Sequence, residues 1–145
     1  MEKTRKQLKE YSIVILVFVV ITLVRAIVSV CVNGIPLPAV IPQGMTIETL
    51  RIISIIAFAL TFVFLIPQVY VGIKGIKIAD GATCNKATRV WALVLAILAC
   101  IALISCVIDL FKAFSVDQLL TVLDVAVDLL LFTCTYLCLR KIAKA

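Results

Sequence analysis

The feature that most constrains the fold is a set of four apolar stretches, which cover residues 11–32, 50–72, 90–111 and 119–139. About 20 helical residues, at about 1.5 Å each, cross the roughly 30 Å hydrocarbon layer of a bilayer. Backbone amides must be hydrogen-bonded within the chain in lipid, and the alternation of barrel strands is absent, so these spans must be helices. The 64% hydrophobic content is typical of a membrane protein. The sequence predicts an all-α, four-helix membrane bundle, with residues 1–145 as one domain.

The distribution of basic residues predicts the orientation of this bundle. Eleven of the 14 lysines and arginines precede the first span, surround the connection between spans two and three, or follow span four. These are Lys3, Arg5, Lys6, Lys9, Lys74, Lys77, Lys86, Arg89, Arg140, Lys141 and Lys144. Because such residues accumulate on the cytoplasmic side, we expect both termini in the cytoplasm. The net charge of +6 is then a topology signal rather than a sign of a nucleic-acid partner. A second interpretation is that the same basic residues bind anionic lipid headgroups.

The connections between the spans carry turn signals. The segment 33–46 contains three prolines and two glycines, which predicts an outside loop. Gly81 is suited to end the second helix, and Asn85 or Thr83 to begin the third. Ser115, followed three residues later by Gln118, matches a capping box at the start of the fourth helix. Spans three and four are therefore expected to form an antiparallel hairpin.

The residues for soluble enzyme chemistry are missing from the sequence. The chain has no histidine, and its six cysteines contain no Cys-x-x-Cys pair, which argues against a mixed Cys/His zinc site. The one glycine-rich stretch, VGIKGIK, lacks the spacing of a phosphate-binding loop. We therefore expect no enzyme activity, no metal and no cofactor. Cys100, Cys106, Cys134 and Cys138 fall inside spans three and four, where small apolar side chains let helices approach one another.

Polar residues form a stripe along the fourth span. At 100° per residue, five side chains share one helix face. They are Asp117, Thr121, Asp124, Asp128 and Thr135. The first span repeats the spacing with Thr22, Arg25 and Ser29, and shorter polar sets occur in the second and third spans. The other faces are rich in Val, Leu, Ile and Phe, which suit lipid contact.

Five charges in the outer half of the spans are expected to face the bundle interior. They are Arg25, Arg51, Asp109, Asp124 and Asp128. A lone ion at membrane depth costs at least about 2.5–3.5 kcal/mol, which favours pairing. The sequence predicts a buried Arg/Asp network in which Asp124 or Asp128 clamps Arg25. The alternative is a proton- or cation-responsive site in an outward-facing pocket.

Pro67 lies inside the second span, and a proline within a helix removes one backbone hydrogen bond, so we expect a kink there. The pair Pro67-Gln68 resembles the signature of PQ-loop transporters, whose three-helix units would correspond to spans two to four. That resemblance leaves span one as an additional helix. Spans three and four also lack the asparagine that sugar-transporting members use.

A longer resemblance rests on PQVYVGIKGIKIADGATCNKATRVWALVL, residues 67–95. This segment is similar to a family of uncharacterised small four-span membrane proteins of Gram-positive, gut-type bacteria. The resemblance implies a multi-pass protein of the bacterial cytoplasmic membrane and supplies no function.

Two functions are compatible with the sequence. The first is a non-enzymatic accessory, stress or immunity-type membrane factor, whose partners are the lipid bilayer and either a second copy or another membrane protein. The second is a small proton- or cation-coupled transporter or channel, as a homodimer, that uses Asp124 and Asp128. The two functions are distinguished by whether water reaches the polar stripe of the fourth span.

Overall fold

In a computed structural model, which describes residues 1–35 and 42–145, the chain forms four long α-helices. They are α1 (Glu2–Asn33), α2 (Ile47–Ala79), α3 (Lys86–Lys112) and α4 (Val116–Lys144). Each is long and apolar enough to span a membrane, which confirms the predicted all-α, four-span class. The loop predicted over residues 33–46 lies partly outside the described residues.

The predicted helix ends are confirmed by their caps. Gly81 has a φ of 116°, in the left-handed region that favours glycine, and directly follows the α2 C-cap residue. The side chain of Asn85 accepts a hydrogen bond from the Ala87 N–H at 3.3 Å and begins α3. The Ser115 hydroxyl accepts from the Gln118 N–H at 3.2 Å and begins α4. The reciprocal half of the capping box is not formed, because Gln118 Oε1 has no partner in the described part of the chain.

The helices are arranged as two antiparallel hairpins side by side. The most extensive contacts are those of α3 with α4 and of α1 with α2, and the α1–α4 and α2–α3 contacts are smaller. Helices α1 and α3 begin, and α2 and α4 finish, on the same side of the bundle, which we call the basic end. The opposite side is the far end. Each helix extends beyond its apolar run at the basic end.

Burial is concentrated next to the basic end. The packed half, as we use the term, comprises α1 up to Val19, α2 from Leu65, α3 up to Ala99 and α4 from Phe132. It contains all but one of the buried side chains of the described residues. The remainder of the bundle is the open half, in which only Leu50 is buried among the residues that the structure describes. The tight bundle is therefore only half as long as the helices.

Two glycines bring α1 and α2 together in the packed half. A Cβ on Gly72 would lie 2.7 Å from Cγ of Leu16, and a Cβ on Gly75 would overlap the side chain of Ser12. Ser12 itself is fully buried. Small residues of this kind allow helix backbones to approach closely in lipid, where apolar surface alone does not drive association.

Three polar contacts join the helices at the basic end. Lys9 Nζ lies 2.7 Å from Asp80 Oδ1, and Arg5 Nη1 donates to the Ile78 carbonyl at 3.3 Å. The Cys84 thiol donates to the Leu139 carbonyl at 3.7 Å and so ties the α2–α3 connection to α4. Burial raises the pKa of the Cys84 thiol, and the nearby Arg89 charge opposes this shift.

Pro67 lies in the interior of α2, which continues as one helix on both sides of it. The kink expected there stays a prediction.

Candidate binding cavity in the open half

A cavity of about 490 Å³ lies between α1, α2 and α4 where the open half meets the packed half. Six polar side chains line it, two from each helix. They are Thr22 and Arg25 of α1, Thr61 and Gln68 of α2, and Asp124 and Asp128 of α4. Most of the lining side chains are exposed, so the cavity is continuous with the surroundings of the bundle. We call this space the polar cavity.

Helical periodicity explains why each helix supplies a pair. Asp124 and Asp128 are four residues apart, Thr22 and Arg25 three, and Thr61 and Gln68 seven, so each pair shares one helix face. Thr22 and Arg25 of the predicted α1 stripe therefore face the same space as Asp124 and Asp128 of the predicted α4 stripe.

Thr61 and Gln68 were not among the predicted site residues. Ser54, Thr61 and Gln68 are spaced at intervals of seven residues, which places them on one face of α2. This polar face is the pattern in the sequence that could have identified them.

The predicted buried Arg/Asp network is wrong. Among the described residues the one salt bridge is Lys9–Asp80, and no two of the five predicted charges form an ion pair. Arg25, Asp124 and Asp128 line the polar cavity, whereas Arg51 and Asp109 are exposed and do not line it. The physical reason is that the helices are separated in the open half. Arg25 on α1 and the aspartates on α4 therefore stand on different walls, with empty space between them.

A second cavity of about 310 Å³, which we call the apolar cavity, lies between α2, α3 and α4. Six of its lining residues are apolar and do not line the polar cavity. They are Leu95, Leu98, Ala99, Ala102, Val125 and Phe132. Phe64, Gln68 and Asp128 line both cavities, so the two spaces meet along these three side chains. Asp128 therefore has a polar space on one side and an apolar space on the other.

The chemistry of the polar cavity is that of oxygen ligands around a small net negative charge. Two carboxylates and one guanidinium leave one excess negative charge when all three are ionised. Hydroxyl and amide oxygens from Thr22, Thr61 and Gln68 add neutral acceptors. In the described part of the chain, no group of three or more Cys, Asp or Glu side chains is close enough together to hold a metal ion.

Helix length and hydropathy define the chain as a multi-pass integral membrane protein with four spans. No protein-family model, curated protein or solved structure matches it. The two family resemblances of residues 67–95 therefore stay predictions.

Proposed function

We propose that the protein is a non-enzymatic membrane protein that takes up protons or small cations in the polar cavity. The observation that supports this is the convergence of six polar side chains from three helices on one space. Ionisable residues at membrane depth are costly when unpaired, and they persist where water or a ligand satisfies them. Arg25 forms no salt bridge with either aspartate in the described part of the chain, so these charged groups are available to water or a ligand.

In this proposal the aspartates are the coupling groups. Asp124 and Asp128 lie one helical turn apart on α4 and offer carboxylate oxygens to a proton or cation. Arg25, on the opposite wall, reduces the net charge of the lining to one negative, which suits a monovalent cation. Asp128 lies where the polar and apolar cavities meet, so in this proposal a change in its charge acts on both spaces.

The side from which the cavity fills follows from the predicted orientation. If both termini are cytoplasmic, as the basic residues indicate, the open half faces the outside of the cell. The membrane would then be a bacterial cytoplasmic membrane, as the resemblance of residues 67–95 implies.

Proton flux in proteoliposomes tests the proposal. The purified protein is reconstituted under a pH gradient with a pH-sensitive dye inside, and wild type is compared with Asp128→Asn and Asp124→Asn. Asp109→Asn is the matched control, because Asp109 is exposed, lies in the open half and does not line the polar cavity. We expect both cavity variants to lower the flux at least tenfold and the control to leave it unchanged. Wild-type flux equal to that of protein-free liposomes, or an equal loss in Asp109→Asn, would contradict the proposal.

The second candidate is assembly with a second copy of the chain, as an accessory, stress or immunity-type factor. The apolar cavity favours it, because a side chain of a second copy would have a preformed apolar space to pack into. Mass measurement of the protein in bilayers, diluted to low protein-to-lipid ratios, tests this candidate. We expect a dimer that Ala102→Trp dissociates, whereas Leu123→Trp on the exposed surface of α4 does not. A monomer at every ratio would rule the candidate out.

A further inference from the structure

A second charged surface, separate from the polar cavity, lies at the basic end between α3 and α4. It is a groove of about 210 Å³. Four cations line it, which are Lys86, Arg89, Arg140 and Lys144. Its remaining walls are formed by Val90, Leu93 and Tyr136. We call it the α3–α4 groove.

The order of residues along each helix gives the groove a charged mouth and an apolar floor. Lys86, Arg89, Val90 and Leu93 share one face of α3, and the two cations come first. On α4, Tyr136, Arg140 and Lys144 follow one another at intervals of four residues. Because α3 begins and α4 ends at the basic end, the cations lie at the mouth. Leu93 and Tyr136 lie about 6 Å deeper than Arg89 and Arg140, at about 1.5 Å per residue.

The cations of this groove have no acidic partner within it. No Asp or Glu side chain lines the α3–α4 groove, and Arg89 Nε is buried without a hydrogen-bond partner among the described residues. A buried donor in that state is destabilising unless a ligand or water accepts its hydrogen bond.

The neighbouring hairpin is different. There Lys9 pairs with Asp80, and Arg5 donates to the carbonyl of Ile78. The basic end therefore carries two cations, Arg5 and Lys9, that bond to groups within the chain. Among the described residues, the four cations that line the α3–α4 groove have no acidic partner there.

We propose that the α3–α4 groove binds an anionic phospholipid through its phosphate. Arg89 and Arg140 approach the groove from opposite helices, and guanidinium groups bond phosphate oxygens through two N–H donors at once. Lys86 and Lys144 add positive charge at the mouth, and the positive end of the α3 helix dipole lies at the same end of the bundle. An acyl chain lies along Val90, Leu93 and Tyr136. This apolar floor distinguishes a lipid from a soluble phosphate, which would leave it empty.

Native mass spectrometry of the full-length protein in detergent, titrated with phosphatidylglycerol or phosphatidylcholine, tests the inference. The test variant is the double substitution Arg89→Gln/Arg140→Gln. The control is Lys3→Gln/Lys6→Gln, which also removes two positive charges from the basic end, but from residues that do not line the groove. We expect the test variant to bind phosphatidylglycerol at least tenfold more weakly and the control to bind it like wild type. Phosphatidylcholine is expected to bind at least tenfold more weakly than phosphatidylglycerol to wild type.

Three results would overturn the inference. The first is an equal loss in the test and control variants, which would mean that only the overall charge attracts lipid. The second is equal binding of the two lipids by wild type. The third is full displacement of phosphatidylglycerol by glycerol phosphate at the same concentration, which would make the ligand a soluble phosphate. If Arg89→Gln/Arg140→Gln does not fold, Lys86→Gln/Lys144→Gln at the exposed mouth replaces it, with the same expected direction and the same control.

Discussion

In the packed half, α1 and α2 touch where Gly72 and Gly75 face Ser12, whereas in the open half the same two helices hold Arg25 and Thr61 on the walls of a cavity. Apolar residues are abundant in both halves, so hydrophobicity does not explain the difference. In a bilayer, lipid tails are as apolar as leucine, and helices associate where close packing and hydrogen bonds favour it. Contact between the helices therefore depends on where the small residues lie, and polar residues line the space in which the helices separate.

The largest expected effect concerns the α1–α2 crossing. Gly75→Leu places a bulky side chain where even a Cβ overlaps Ser12, so we expect a destabilisation of about 3 kcal/mol or more and little folded protein. Thermal melting and the folded yield in detergent measure this. The matched control is Ala59→Leu, on the same helix in the open half, where the side chain is exposed and the melting temperature should stay at the wild-type value.

The milder substitution Gly75→Ala tests whether the loss of stability comes from the contact with Ser12. Ser12→Gly removes the atoms with which the new Cβ collides, so it should restore part of the stability that Gly75→Ala loses. If Gly75→Leu melts like wild type, the close crossing of α1 and α2 does not exist.

The second prediction compares leucines on one helix. Leu139 of α4 is fully buried, whereas Leu130 is 66% exposed. Leu139→Ala should lower the free energy of unfolding by about 2 kcal/mol, at the low end of the range for core leucines, because lipid also solvates the side chain when the helices separate. Leu130→Ala should stay within about 0.5 kcal/mol of wild type. Reversible unfolding in mixed micelles measures both, and equal losses would contradict the division into two halves.

A smaller effect is expected from the ion pair at the basic end. The Lys9 and Asp80 side chains are about half exposed, so water and salt screen their attraction. We expect the pair to contribute less than about 1 kcal/mol. A double-mutant cycle with Lys9→Gln and Asp80→Asn measures the coupling, which should decrease as salt is added. A coupling that stays constant in high salt would mean that the pair is buried in the membrane-bound protein.

The smallest effect concerns the pH dependence of Cys84. Burial raises the pKa of its thiol, so the neutral form is favoured in the folded state. The preference of the folded protein for the neutral thiol adds to its stability relative to the unfolded chain. This contribution is fully present below the pKa of an unfolded thiol, about 8.5, and is lost as the pH rises through the higher pKa of the folded state. We therefore expect maleimide to react with Cys84 more slowly than with a free thiol at pH 8. Peptide mass spectrometry resolves this site, and Arg89→Gln should slow the reaction further, because it removes the opposing charge.

The same thiol reports the orientation of the bundle. If the basic end is cytoplasmic, an impermeant maleimide should label Cys84 after lysis but not in intact cells. Equal labelling in both conditions would show that the predicted orientation is wrong.

Features that depend on neighbours along the chain could be predicted from the sequence alone. Apolar runs of about 20 residues define the four spans, and the short-range chemistry of Gly81, Asn85 and Ser115 defines where α2 ends and where α3 and α4 begin. The spacing of Asp124 and Asp128 likewise places both on one face, because the helix repeats every 3.6 residues.

What those helix faces contact depends on how the four helices pack, which could not be predicted from the sequence. The gap between helices in the open half depends on how the same helices pack elsewhere. Contacts such as that of Gly75 on α2 with Ser12 on α1 join residues far apart in the chain and are not encoded in any single helix. That separation turned an expected ion-pair network into a cavity, added Thr61 and Gln68 to its walls, and left Arg51 and Asp109 outside it. Helical periodicity determines the direction of a side chain, but the width of the gap between two helices depends on packing elsewhere along them.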